Sequence, residues 1–398
     1  MRRAGLLWLV LATPALAQPS GSFADFVAEF RGEALANGVS AQLYDSIMPA
    51  LTPDPNVPNL VDTQPEFTTP VWDYIDARVS ASRVERGRAA LSRNRELFAA
   101  VGQRYGVDPY LLGAIWGMET DYGGVLGNTS LIRPIVRSLA TVAWQRRSRF
   151  VEDKADLVAA LQLTERNGGS SPIGSWAGAI GHLQVNPSNV VKHGTDGDGD
   201  GRVDLHNSLA DALATSAVFI RSLGYQPGQD WGFEVSVPEG FDYLLATRDQ
   251  LRPISFFAER GIARVSGRPF AETGTPVFLY VPAGKTGPKF LMTANYLVLK
   301  GYNFSDSYAM AVAHLTDRLK GGGSFATPWP RNTTFPDLAQ RKAIQQALGA
   351  LGLYSGAVDG RLGPVTQAAY ARFQAARGEV ADGFVTRTAY EALAAATR

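Results

Sequence analysis

Glu119 is the residue around which chemistry could be built. It closes the run Tyr110-Leu-Leu-Gly-Ala-Ile-Trp-Gly-Met-Glu119, which opens with Asp108 at an N-cap and Pro109 in the first turn. The spacing predicts a helix that ends near Gly123-Gly124. Leu112, Ile115, Trp116 and Glu119 fall at i, i+3, i+4 and i+7, so the carboxyl group lies on the apolar stripe. It also lies at the negative end of the helix dipole. Burial and that dipole both disfavour the charged form and raise the acid's pKa, as a general acid near neutral pH requires. A core glutamate held by a hydrogen bond or an ion pair would give the same pattern, and spacing alone leaves both readings open. Ordinary glycosidases place two carboxylates about the bond they cut. Asp121 is close in sequence but points about 200° around the helix from Glu119, and no other acid is evidently paired with it. A lone acid suits a reaction in which the substrate supplies its own nucleophile.

Two further stretches carry polar chemistry. In Gly174-Ser-Trp-Ala-Gly-Ala-Ile-Gly-His-Leu-Gln-Val-Asn-Pro-Ser188, the small residues Gly174, Ala177, Gly178 and Gly181 permit close backbone approach. Ser175, His182 and Gln184 offer hydrogen bonds to a polar, uncharged ligand such as a sugar chain. In Asp196-Gly-Asp-Gly-Asp-Gly-Arg-Val-Asp204, Asp196, Asp198, Asp200 and Asp204 occupy positions 1, 3, 5 and 9 of an EF-hand-type loop. Gly201 sits at the turn, and Arg202 would offer its carbonyl. Clustered acids repel without a cation, so a structural Ca2+ is expected. Asn207 replaces the bidentate Glu of a sensor loop, which points to modest affinity.

The elements that must position these groups are mostly helical. Ser82–Tyr105, Asp153–Thr164 and Tyr308–Leu319 carry apolar residues at helical spacing. Short β-prone runs alternate with Gly/Pro turns over about 231–290, which predicts a small β-rich insertion. The fold class expected is therefore mainly α with a small β-rich subdomain. Lys320-Gly-Gly-Gly-Ser-Phe-Ala-Thr-Pro-Trp-Pro reads as a linker over 320–334, flexible first and stiffer at its prolines. Helices over Leu338–Leu351, Thr366–Ala376 and Thr386–Ala396 then form a three-helix module over 335–396, with Asp-Gly turns before the second and third. A module this small has a small core and is expected to bind rather than catalyse.

Composition and the N-terminus narrow the setting. The 398-residue chain has 38 Lys+Arg against 37 Asp+Glu, a net charge of +1. That balance offers no basic excess for nucleic acid. With no Cys, thiolate chemistry, disulfides and a Cys-linked lipid anchor are excluded. Met1-Arg-Arg, an apolar Ala4–Ala12 stretch and Ala15-Leu-Ala17 form a secretory signal over 1–17. No later apolar run is long enough to span a bilayer. A soluble, exported, periplasmic protein without a stable membrane anchor is expected.

Together these pieces resemble the lytic murein transglycosylases of the membrane-bound type B family (glycoside hydrolase family 103). The matching segments are Gln64-Pro-Glu-Phe-x4-Val-Trp-Asp-Tyr74, Ile115–Gly123, Leu139-Ala-Thr-x4-Arg146-Arg147, Gly174–Gln184, the acidic loop, and Gly301-Tyr-Asn-Phe-Ser-x-x-Tyr-Ala-Met-Ala311. The C-terminal Gly-x-Tyr-x-Gly-x-x-Asp-Gly-x-x-Gly-x-x-Thr pattern, with Ala-x-x-x-Phe-Gln, resembles a peptidoglycan-binding domain. The resemblance implies a lysozyme-like catalytic core over 22–319. It would cleave the β-1,4 bond between N-acetylmuramic acid and N-acetylglucosamine without a cofactor for the chemistry. Glu119 takes the catalytic position, acting as acid and then as base toward the muramoyl 6-hydroxyl, to leave a 1,6-anhydro sugar. Ser175 and Gln184 match sugar-binding groove positions; Tyr74, Arg146, Arg147, Tyr302, Asn303 and Tyr308 match other cleft positions. Asp211 matches a metal-ligating Asp that would complete the set of Asp196, Asp198, Asp200 and Arg202. The partner implied is the peptidoglycan glycan strand. Val185 and Asn186 depart from the more usual Phe-Met, Phe219 stands where some members have Tyr, and the lipid anchor is absent. A hydrolytic muramidase and an inactive calcium-stabilised wall-binding protein remain the alternatives.

Overall fold

The computed structural model describes residues 21–57, 69–145 and 149–397. The signal segment, Gln64–Phe67, and the pair Arg146 and Arg147 lie outside the described residues.

In chain order the helices are α1 (Phe23–Ala36), α2 (Ala41–Ile47), α3 (Val71–Arg78), α4 (Ala81–Arg93), α5 (Arg95–Tyr105), α6 (Pro109–Thr120), α7 (Ile135–Trp144), α8 (Phe150–Arg166), α9 (Pro187–His193), α10 (Leu209–Ser222), α11 (Ile254–Ala258), α12 (Ala294–Tyr302), α13 (Asp306–Leu319), α14 (Leu338–Ala350), α15 (Pro364–Ala376) and α16 (Arg387–Ala396). The strands are β1 (Arg133–Pro134), β2 (Ile173–Gly174), β3 (Gly232–Ser236), β4 (Arg252–Pro253), β5 (Ala263–Arg264), β6 (Pro276–Tyr280) and β7 (Lys289–Met292). The continuous pattern over Ser82–Tyr105 resolves into two helices that meet at Asn94.

The chain forms two compact units from interleaved segments, the first from residues up to 61 with 124–212, the second from 62–123 with 213–398. In the first unit α8 packs on α7 and α9. Its core includes Leu139, Leu157, Leu161 and Leu183, all 1% exposed or less.

In the second unit α6 is the central helix, packed on α13 and α4. Every residue from Leu111 to Met118 is buried, so this helix is enclosed on all sides rather than along one stripe. The close approach has a steric cause. A Cβ on Gly113 would lie 2.6 Å from Leu91 Cδ1, and one on Gly117 would lie 2.5 Å from the Tyr122 ring. The β-rich insertion forms a five-stranded antiparallel sheet in the order β4-β6-β7-β3-β5. Val235, Ile254, Phe257, Val277 and Leu291 pack beneath it. The C-terminal helices have their own core of Ile344, Leu348, Ala369, Phe373 and Leu393.

The segment read as a linker is strapped down. The Ala326 and Thr327 amides both donate to the Glu234 carboxylate, at 2.7 Å each. The Phe325 ring stacks on His314 at 4.1 Å and meets Phe290 edge-on at 5.0 Å. Arg331 pairs with Asp76 at 2.7 Å. A Gly/Pro-rich composition suggests flexibility, but two aromatic anchors and a carboxylate that takes successive amides outweigh it.

Candidate active site

Glu119 lies in the last turn of α6 and is half-buried. The helix starts as its sequence dictates: Asp108 accepts the Tyr110 amide at 2.9 Å, and Pro109 occupies the first turn. Its end comes earlier than Gly123-Gly124. Asp121 and Tyr122 both take left-handed backbone, at φ 51° and 61°. Non-glycine residues pay for that conformation, and two in succession mark a turn whose shape is imposed by its surroundings. The imposition is visible. Arg86 and Arg83 hold the Asp121 carboxylate at 2.9 and 3.3 Å, and the Tyr122 ring is wedged against Gly87 and Gly117. Burial alone would raise the Asp121 carboxyl, but the two guanidinium groups outweigh it and hold the pKa below its usual value. Asp121 is thus a tethered cap rather than a helical residue turned away from Glu119.

The groups brought to Glu119 include phenols. The Tyr308 hydroxyl donates to Glu119 Oε1. Tyr308 sits in the first turn of α13, where Ser305 caps its amide at 3.3 Å. Burial, and then the charge of Glu119, push the Tyr308 pKa well above 10. The same two causes raise that of Tyr302. Both therefore stay neutral near pH 7 and can donate hydrogen bonds without giving up a proton. The Tyr302 hydroxyl lies 3.4 Å from Ser216 Oγ, and its ring packs on Phe219 at 5.4 Å. Tyr74, 4% exposed, also acts on Tyr308 electrostatically and carries Arg78 over its ring at 5.5 Å. Asn303 ends α12, and its Oδ1 accepts the Ser305 amide at 3.1 Å, linking α12 to α13. One unit thus gathers Tyr74, Glu119, Tyr302, Asn303 and Tyr308 on α3, α6 and the α12–α13 junction. Ser216 and the two arginines behind Asp121 escaped the sequence reading; nothing in their local spacing marks them.

The first unit holds the other expected residues. The loop after β2 folds back on itself through Gly174↔Ile180 and Ile180↔Val185 bridges. The Ser175 amide donates to the Ala179 carbonyl at 2.9 Å, and its Oγ accepts the Ala179 amide at 3.2 Å. Gln184 has φ 49°, and its carboxamide donates to the Gly181 carbonyl at 2.8 Å. The small residues are sterically required. A Cβ on Gly174 would meet the Ala179 carbonyl oxygen at 2.2 Å, and one on Gly181 the Leu205 carbonyl oxygen at 2.0 Å. Val185 is 1% exposed, a core position, and Asn186 begins α9. Burial drives the His182 pKa down to about 4, with His206 adding to the effect, so the imidazole is neutral.

In the acidic loop, oxygens of Asp196, Asp198 and Asp211 converge within 4.8 Å of one another. Asp211, 1% exposed, is oriented by the Gly197 and Asp204 amides at 2.8 and 2.7 Å. Three carboxylates in one concavity form a hard-oxygen donor set that fits a divalent cation. Asp200 stands outside this set, and its carboxylate accepts the Arg202 amide at 2.8 Å. Asp204 is paired with Asn207 at 2.8 Å.

Residues 22–317 match the family described as Transglycosylase SLT domain, and residues 338–393 match Putative peptidoglycan binding domain. The chain is 25% identical over 283 residues to Membrane-bound lytic murein transglycosylase B of Escherichia coli (strain K12), covering 69% of this chain and 74% of that one. It is similar to the crystal structure of SltB3 from Pseudomonas aeruginosa in complex with NAG-anhNAM-pentapeptide. That match has a TM-score of 0.85 and 38% identity, and covers 94% of this chain and 100% of that one. It also shares the fold of the Escherichia coli lytic transglycosylase Slt35 in complex with calcium, at a TM-score of 0.61 and 22% identity over 75% of this chain and 96% of that one.

Proposed function

Because the chain belongs to the SLT transglycosylase family and is a peptidoglycan lytic transglycosylase, we propose that Glu119 performs both of its proton transfers. The acid first gives its proton to the glycosidic oxygen as the bond to C1 of the muramoyl residue breaks. The resulting carboxylate then takes the proton of the muramoyl 6-hydroxyl while that oxygen bonds to C1. The acid is regenerated, no water is consumed, and the product carries a 1,6-anhydro ring. The observation that carries this assignment is the contact of the half-buried Glu119 with the Tyr308 hydroxyl. That contact fixes the orientation of the carboxyl group across both steps.

In this reading Tyr308 positions the acid. Tyr74, Tyr302 and Asn303 bind the sugar from the second unit, Ser175 and Gln184 hydrogen-bond the glycan, and Arg146 and Arg147 are substrate-binding residues on the strength of the family resemblance. Asp196, Asp198 and Asp211 hold a structural Ca2+ that braces the loop behind Gly181 and His182, which are joined to it through Leu205. The catalytic region spans 22–319 with its β-rich insertion over 231–290. The segment 320–334 then joins it to a wall-binding module over 335–396. Among the described residues no helix is long and apolar enough to cross a membrane. We place the mature protein in the periplasm, where its substrate lies.

Mass spectrometry of digested peptidoglycan tests the assignment. The parent chain should yield 1,6-anhydro-muramoyl ends, and Glu119→Gln should yield them at least about a thousandfold more slowly. Reducing ends from the parent would instead indicate a hydrolase. An undiminished Glu119→Gln rate would remove Glu119 from its role.

A further inference from the structure

We propose that Arg248, in the β-rich insertion, is a positioning residue for the reaction: through Asp306 it fixes the first turn of α13 and so holds the Tyr308 hydroxyl against Glu119. This role rests on the reading of Glu119 as the acid and base, and it gives the insertion a part in the chemistry. Asp306 is the first residue of α13, two places before Tyr308. Its carboxylate accepts the Tyr296 hydroxyl and the Arg248 guanidinium through Oδ1, both at 3.1 Å, and the Lys300 ammonium through Oδ2 at 2.8 Å. The Tyr296 hydroxyl also lies 3.3 Å from the Asp306 carbonyl oxygen. Tyr296 and Lys300 belong to α12, so their contacts close the short α12–α13 junction upon itself. Arg248 comes from the loop between β3 and β4 and ties that junction to the sheet.

The guanidinium is itself fixed. It lies 5.6 Å from the Phe278 ring centre and 5.5 Å from that of Tyr280, both on β6, where aromatic faces attract a cation. Phe278 and Tyr280 in turn pack on the fully buried Tyr296 ring at 6.1 and 5.9 Å. Charge balance does not call for this arginine. Lys300 alone neutralises Asp306, and burying a second cation, 18% exposed, costs solvation. What Arg248 adds is an anchor on the sheet, which α12 does not supply. The Tyr308 hydroxyl sits at the far end of a long side chain, so a small rotation of the first turn becomes a larger displacement at Glu119. Ser305 caps the Tyr308 amide at 3.3 Å and is itself held by Asn303 at 3.1 Å, so the junction transmits the constraint as one piece.

The test is a double-mutant cycle on the full-length chain, read as the rate of anhydro-product formation from soluble GlcNAc–MurNAc oligosaccharides. Arg248→Met keeps an apolar stem over the two rings and leaves Asp306 paired with Lys300, so the variant should fold. It should lower kcat roughly tenfold, the effect of a slackened contact at the reacting groups, and leave KM within about twofold. Tyr308→Phe should lower kcat as well. The double variant should be no slower than Tyr308→Phe, because Arg248 acts through that hydroxyl. Arg248→Lys should recover part of kcat. If Arg248→Met is unfolded at the assay temperature, Arg248→Lys is carried through the same cycle, where its smaller loss should again vanish beside Tyr308→Phe. An unchanged kcat, a loss confined to KM, or losses that multiply in the double variant overturn the role of Arg248. A Glu119→Gln control that keeps the parent rate overturns the reading of Glu119, and the positioning role with it.

Discussion

Asp317→Asn should stabilise this protein, and by an amount that depends on pH. Asp317 lies on α13, and its carboxylate accepts the Trp231 indole N–H at 3.1 Å. Burial raises its pKa from 3.8 to about 6, against the opposing effects of the Trp231 bond and Lys320. A raised carboxyl pKa means that the folded state holds its proton where the unfolded state has lost it. Stability from this group is fully present below pH 3.8 and is lost as pH rises through about 6. Linkage makes the accumulated cost less than about 1 kcal/mol at pH 4, about 2 at pH 5 and about 3 at pH 7.5. Asparagine keeps an oxygen for the indole and carries no charge, so the variant should escape the cost. The nearby His314 titrates in the same window with the opposite sign. Burial, aided by Arg318, lowers its pKa from 6.5 to about 4, so its contribution falls away as pH drops below 6.5. Because His314 is present in both proteins, the difference between variant and parent cancels it. The assay is the melting temperature of each protein between pH 4 and 7.5. The gap should be smallest at the acid end and open steadily in favour of the variant. A gap that is flat with pH, or a variant less stable at pH 7.5, would refute the argument that burial dominates at Asp317.

Two other perturbations have defined outcomes. Adding Ca2+ to chelator-treated protein should raise the melting temperature, and at a hundred times Kd linkage gives about 2.7 kcal/mol. Asp211→Asn should abolish that rise, whereas Asp200→Asn, outside the converging oxygens, should retain it. Gly117→Ala would drive a methyl group to 2.5 Å from the Tyr122 ring. It should cost about 1–3 kcal/mol in denaturant unfolding. It should also lower the rate of anhydro-product formation, because the displaced turn carries Glu119.

The sequence made local order legible and left long-range contact hidden. Helix α6 could be drawn from Asp108, Pro109 and the apolar spacing, because caps and periodicity act within a few residues. Its C-terminus could not. Glycine is the usual signal for left-handed backbone, and here Asp121 and Tyr122 adopt it, the former under two arginines from α4, 35 and 38 residues away. The donor to Glu119 is 189 residues distant. No periodicity links Tyr308 to it: spacing drew attention to Glu119, and only the family resemblance drew attention to Tyr308. The module shows the same limit on a smaller scale. Its two Asp-Gly turns were plain in the sequence, but the side chains that latch them were not. Gln345 accepts the Gly360 amide at 2.7 Å and donates to Asp359 at 3.0 Å. Gln374 accepts the Gly383 amide at 2.8 Å and donates to Asp382 at 3.2 Å. The same latch is used twice, yet among the described residues only at the second turn does the Asp also accept an amide from outside the module, that of Lys285. A near-repeat in sequence has thus been divided in use. One turn serves the module's own fold, and the other joins it to the β-rich insertion. That asymmetry gives the small module one turn that holds its own helices and one that seats it against the segment before β7.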